Sequence, residues 1–247
     1  MLYFTKEMYE KMQVCGYLRV VPHLNEQSEE SIEWFAAQGR DYRSERRQEF
    51  LHLKPLLLKY VPDYRVSAIF EQFVAETEPR TEELTEYVSQ WAEKYDKEWL
   101  TASRSSREEY HEIRSKLPEN FTAMYEKHNL HDAKIISVQS SEDGVVVVKL
   151  DGSGSLGLYG TGYLTFEDVH ICEIPDDADG DWWLYDEVHL TPEGHMDFRA
   201  LLHASSGPAG EIVPLHELRI VARGFKFALE KFAEAEVCQV EGLRKSE

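Results

Sequence analysis

Two Glu-x-x-His pairs, Glu49/His52 and Glu108/His111, come nearest to a chemical signature in this chain. Two such pairs, with a glutamate from each of two further helices, build a carboxylate-bridged di-metal centre. Glu33 and Glu86 could take the remaining places. Helix geometry opposes the assignment. With 3.6 residues per turn, Glu108 lies about 160° around the helix from Tyr110, away from the apolar face of Tyr110, Ile113 and Leu117. His52 similarly opposes Phe50, Leu51 and Leu53. The run Asp176-Asp177-Ala178-Asp179-Gly180-Asp181 opens like a calcium loop. Counted from Asp177, however, Trp182 stands where glycine is required and Val188 where a bidentate glutamate is required. An acidic, exposed connection is expected there. His128, His131, His170, His189, His195, His203 and His216 crowd the second half but lack a short ligand spacing. Ser153-Gly154-Ser155 and Gly157 do not form a nucleophile elbow, and no Gly-x-Gly-x-x-Gly precedes a helix. The residues therefore point to no metal, no cofactor and no assigned catalytic group. His131 and Asp132, near the junction of the two halves, are the best polar residues to probe for catalysis.

These residues sit on two differently patterned stretches. Of 247 residues, 27 are Lys or Arg and 46 are Asp or Glu, for a net charge of −19. Residues 1–127 carry −6 and residues 128–247 carry −13. The balance disfavours nucleic acid and anionic membrane surfaces, which require basic patches. No apolar run reaches the roughly 20 residues needed to span a bilayer. Cys15, Cys172 and Cys238 are odd in number and far apart, which fits a reducing cytoplasm. The opening residues lack the form of a signal peptide. Residues 1–127 read as a helical domain. Helices are expected at 3–14, from Asn25 to Gly39, and from Tyr42 to Leu53, with Pro55 and Pro62 as breaks. The strongest is 80–100, where Leu84, Tyr87, Val88, Trp91, Tyr95 and Trp99 form a stripe. Ser106 and Glu109 suggest a capping box opening another helix, ended by Pro118. A last helical piece carries Phe121, Met124 and Tyr125.

From residue 128 the period changes to two, and residues 128–247 read as an antiparallel β-rich domain. The fold class is α+β. Strands are expected at 135–139, 145–150, 163–173, 182–190, 196–204 and 212–222, with a short helix at 226–236. In one hairpin Trp182, Leu184, Val188 and Leu190 share a face, and so do Met196, Phe198, Ala200 and Leu202. Burying both rows together sets Leu190 opposite Met196. His189 then faces Asp197, and Glu187 faces Arg199, on the polar side. Asp186 falls in the apolar row, where a backbone partner or a bulge would be needed.

The opening Tyr3-Phe4-Thr5-Lys6-Glu7 resembles the start of a Bacillus-type bacterial family of unknown function. Leu117-Pro118, followed by Leu130-His131-Asp132-Ala133-Lys134-Ile135, resembles it too. That likeness implies no catalytic residue. The Leu-His-Asp stretch is also similar to the opening of β-domains in toxin-immunity proteins, although Ala133 stands where serine or cysteine is often seen. It implies partner binding. The expected function is therefore a non-enzymatic, immunity-like protein that binds a partner with a basic surface. Its candidate surface comprises Glu187, His189, Asp197, Arg199, Asp177, Asp179 and Asp181. The alternative is a small-molecule-binding protein or hydrolase with a cleft between the halves.

Overall fold

Two helices, over 42–60 and 82–113, run past the local stop signals in the sequence. The computed structural model describes residues 1–20, 28–205 and 212–231. Its helices are α1 (Lys6–Val20), α2 (Ser28–Ala37), α3 (Tyr42–Tyr60), α4 (Asp63–Ile69), α5 (Glu82–Ile113) and α6 (Glu119–Lys127). Asn25, expected as a cap, lies outside the described residues. Asp41 caps α3 by accepting the Ser44 N–H at 3.0 Å. Pro55 does not break α3, contrary to the sequence expectation. Phe50, Leu56 and Leu57 on either side of it are buried, which favours one continuous helix. The carbonyl left without a donor belongs to exposed Leu51, where water can satisfy it. Ser106 and Glu109 likewise open no new helix, because they lie inside α5. No glycine or proline interrupts residues 82–113, and Thr101 turns its hydroxyl back to the Lys97 carbonyl at 2.8 Å. Thr81 starts α5 by accepting the Leu84 N–H, and is itself held by Gln72.

The described residues group into two compact units. One comprises the described part of 6–104 with Ile212. Its core joins Leu18, Phe50, Leu57, Ile69, Leu84 and Val88. The other comprises 1–5, 105–205 and 213–231, so the sequence break at 127/128 falls within it. It holds β1 (Lys134–Ser140), β2 (Val146–Asp151), β3 (Thr161–Glu173), β4 (Trp182–Leu190), β5 (Met196–His203) and β6 (Leu215–Glu230). All pairings are antiparallel, and the strands close a barrel in the order β1-β2-β3-β6-β5-β4. The fold is thus α+β, with a helical first half and a mainly antiparallel second half. The helix expected at 226–236 is not found where the chain is described: residues 226–230 continue β6 and pair with β3. Phe225, Phe227 and Leu229 alternate with Lys226, Ala228 and Glu230, a strand period. Residues 232–236 lie outside the described residues.

The barrel is filled by side chains. Trp183, Phe166 and Phe198 are wholly buried within it, and Phe225 is nearly so. Phe121 of α6 meets Phe198 and Phe225 edge-on, with centroids 5.6 and 5.2 Å away. The tight β1–β2 turn uses Gly144 at φ 71°, a conformation costly for other residues.

Candidate functional site on the outer barrel face

Strand alternation decides which side chains leave the barrel. Asp186, Val188 and Leu190 lie opposite Ala200, Phe198 and Met196 in the inward row. Glu187 and His189 stand on the other face, opposite Arg199 and Asp197, as the hairpin pattern predicts. One detail differs. A bulge between Trp183 and Tyr185 shifts the phase, so Trp183 rather than Trp182 enters the core. Asp186 remains in the inward row, and Trp183 Nε1 donates to its carboxylate at 2.8 Å. Burial pushes its pKa up, while Trp183 and Tyr125 oppose the shift.

The outward face is not solvated at its centre. Glu187 is 0 % exposed, Asp197 4 % and His189 5 %. Residues 2–4 of the chain cover Glu187 and His189. Glu187 accepts the N–H groups of Leu2, Tyr3 and Phe4, the last two at 2.9 and 3.4 Å. Phe4 stacks on Tyr185 with centroids 5.3 Å apart. Tyr3 donates its hydroxyl to Glu109 at 2.7 Å, and the other Glu109 oxygen meets His189 Nδ1 at 2.7 Å. His189 Nε2 lies 3.3 Å from Glu187, a charge contact. The imidazole is therefore held between two carboxylates. Burial lowers its pKa, but Glu187 and Glu109 outweigh burial and leave it raised. Burial raises Glu187, but His189 and the N–H groups of Tyr3 and Leu2 hold it below the usual carboxylate range. The hydrogen bond to Glu109 pushes the Tyr3 hydroxyl up to about 12.

Beside this group, Asp197 receives two guanidinium forks. Arg199 contacts its oxygens at 3.1 and 2.7 Å, and Arg219 contacts both at 3.0 Å. Burial pushes Asp197 up, and the two arginines reverse the shift. Asp181 is also buried. It accepts the Ser205 N–H and meets His216 Nδ1, each at 2.8 Å. It thereby anchors the β3–β4 connection, while Asp176, Asp177 and Asp179 stay exposed. His131 and Asp132 lie on the same unit, 3.1 Å apart and both partly exposed. Asp132 turns the chain toward β1 at φ 66°, and its N–H donates to the Trp183 carbonyl.

The structure thus joins Glu187 to His189, and Asp197 to Arg199. His131 adjoins the first group through Tyr185, whose ring it meets edge-on at 5.4 Å. Glu109, Tyr3, Arg219 and His216 complete the site; the sequence reads Glu109 as a cap, Tyr3 as part of the opening motif and His216 as one of the second-half histidines, and does not mark Arg219. Arg219 has a period-two signal, because β6 pairs it with Arg199. Glu109 and Tyr3 have none, since only tertiary packing brings them together. His170 and His195 stack at 4.4 Å, and Arg223 donates to His195. Among the described residues, no group of three or more His, Cys, Asp or Glu side chains could hold a metal ion. His52, Glu33, Glu86, Glu108 and His111 all point to solvent. Cys15 is buried with its thiol on the Ala92 carbonyl, Cys172 is exposed, and Cys238 lies outside the described residues.

The pH response of this face follows from His189. Its raised pKa contributes stability that is fully present below about pH 6.5, the unfolded value, and is lost as pH rises through the folded value. Wild type is therefore expected to lose unfolding free energy on the alkaline side of that point, and His189→Gln to lose less. Urea unfolding across pH 5.5–9, read by hydrogen exchange in β4, checks this. Parallel curves for the two proteins would refute it.

The barrel is antiparallel and packed with apolar side chains, and residues 2–4 engage its charged outer face. The chain belongs to the family described as "Protein of unknown function (DUF4085)", whose model matches residues 3–213. No curated protein and no solved structure matches the chain. Among the described residues, no helix is long and apolar enough to cross a membrane.

Proposed function

We propose that this chain is a non-enzymatic binding protein that captures a basic protein partner through its β3–β4 connection. The carrying observation is a division among its acidic side chains. Asp181, Glu187 and Asp197 spend their charge on internal partners, whereas Asp176, Asp177 and Asp179 are exposed, Asp177 touching His216 at a loose 4.0 Å. In this reading Asp177 and Asp179 make contact. Asp181, Glu187, His189, Asp197 and Arg199 hold the face rigid behind them, which limits the entropy lost on binding. Negative charge in solvent steers a cationic partner, and the immunity-like role is capture of such a protein in the cytoplasm. The packed barrel interior favours this over catalysis in a lumen.

Charge changes at Glu187 or Asp197 would disturb the scaffold, so the test uses the exposed aspartates. Wild type and Asp176→Asn/Asp177→Asn/Asp179→Asn serve as baits in a native lysate. Any stoichiometric partner is then purified and titrated against both. The expected result is a loss of about tenfold or more in affinity for the triple variant, shrinking as salt rises. Equal affinity for both baits, or no partner for a folded wild type, overturns the reading.

A further inference from the structure

The geometry points to a second binding site, for a small amphiphilic carboxylate, in the groove between α6 and the β3–β6 pair. The groove encloses ≈ 610 Å³, within the range of small-molecule sites. Met124, Phe227 and Ala228 give it an apolar floor. Lys127, His128 and Lys226 stand at its lining, with no aspartate or glutamate among the residues that form it. In a chain of net charge −19, such a lining is a local inversion of charge. Lys127 makes no ion pair among the described residues. Lys226 pairs with Glu167 at 2.5 Å, but this contact is largely exposed and cheap to exchange for a ligand carboxylate. His128 is fixed by two contacts. Its Nδ1 lies 3.2 Å from the Gly157 carbonyl, and its ring lies 5.0 Å from Phe227. It thereby holds one wall in place. An alkyl chain would cover Phe227 and Met124, while its carboxylate would take the two lysines.

Calorimetric titration of the full chain with octanoate, octanol and octyltrimethylammonium, at one ionic strength, tests this. Octanoate is expected to bind at one site about tenfold or more tighter than either control. Lys127→Gln/Lys226→Gln should erase the preference for octanoate over octanol. Ala123→Trp, at an exposed α6 position lining the groove, should fill it and abolish binding with the unfolding midpoint unchanged. Equal affinity for all three probes, absence of octanoate binding, or unchanged binding in Ala123→Trp overturns the proposal. Self-association abolished by Ala123→Trp, without octanoate binding, would assign the groove to a second copy and overturn it too.

Discussion

Phe121→Ala is expected to lower the unfolding free energy of the barrel unit by about 3–5 kcal/mol, the usual cost of deleting a buried aromatic ring. Phe121 is wholly buried and stacks on Tyr125 with centroids 5.2 Å apart. Its ring also faces Phe198 and Phe225, and Phe166 packs against the same pair. Removing it strips one end of this aromatic cluster. The strands are tied into a closed ladder and cannot collapse inward to refill the space, so the cavity term stays large. Phe121→Leu keeps most of the volume and should cost less, roughly 1–2 kcal/mol. Urea unfolding read through the β2 and β5 amides by hydrogen exchange isolates this unit from the helical one. A cost below about 1 kcal/mol for Phe121→Ala would mean that α6 does not seal the barrel.

The parts of this fold written in local periodicity were legible. The stripe on α5 and the β4–β5 register both follow from one-dimensional pattern. The hairpin was readable because a one-residue slip would turn a whole apolar row to solvent. Local stop signals misled where packing overrode them. Pro55 lies within α3 because apolar residues on both sides enter one core. Ser106 caps nothing because α5 continues through it. The end of β6 was misread because Ala228 and the charged neighbours of Phe225, Phe227 and Leu229 also suit a helix. Pairing with β3 decides for strand.

The candidate site was legible as a set of facing residues, not as an environment. Alternation gives the pairs Glu187/Arg199 and His189/Asp197. It does not reveal that residues 2–4 lie across Glu187, because backbone N–H groups carry no sequence signal. Nor does it distinguish Asp181 from Asp177 and Asp179, which share the same short acidic run. Only the Ser205 N–H and the His216 ring, both distant in sequence, draw Asp181 inside. Burial therefore separates structural from available charge within residues that look equivalent.

Asp197→Ala is the second large effect. The substitution leaves Arg199 and Arg219 facing each other without the carboxylate they share, Arg219 keeping a 3.8 Å contact with Glu173. Breaking a buried ion pair from one side costs about 3–5 kcal/mol. The two arginine side chains are 18 % and 30 % exposed, so water recovers part of the loss. About 2–4 kcal/mol is expected. Asp197→Asn keeps an acceptor but not the charge and should fall between the variant and wild type. The sign with pH is fixed by the lowered pKa of Asp197. Its contribution is present above the unfolded value of about 3.9 and is lost as pH falls through the folded value. The gap between wild type and Asp197→Ala should therefore narrow in acid. Urea midpoints at pH 7, 5, 4 and 3 measure it. A constant gap would assign the cost to lost packing, whereas a narrowing gap assigns it to the charge that binds β5 to β6.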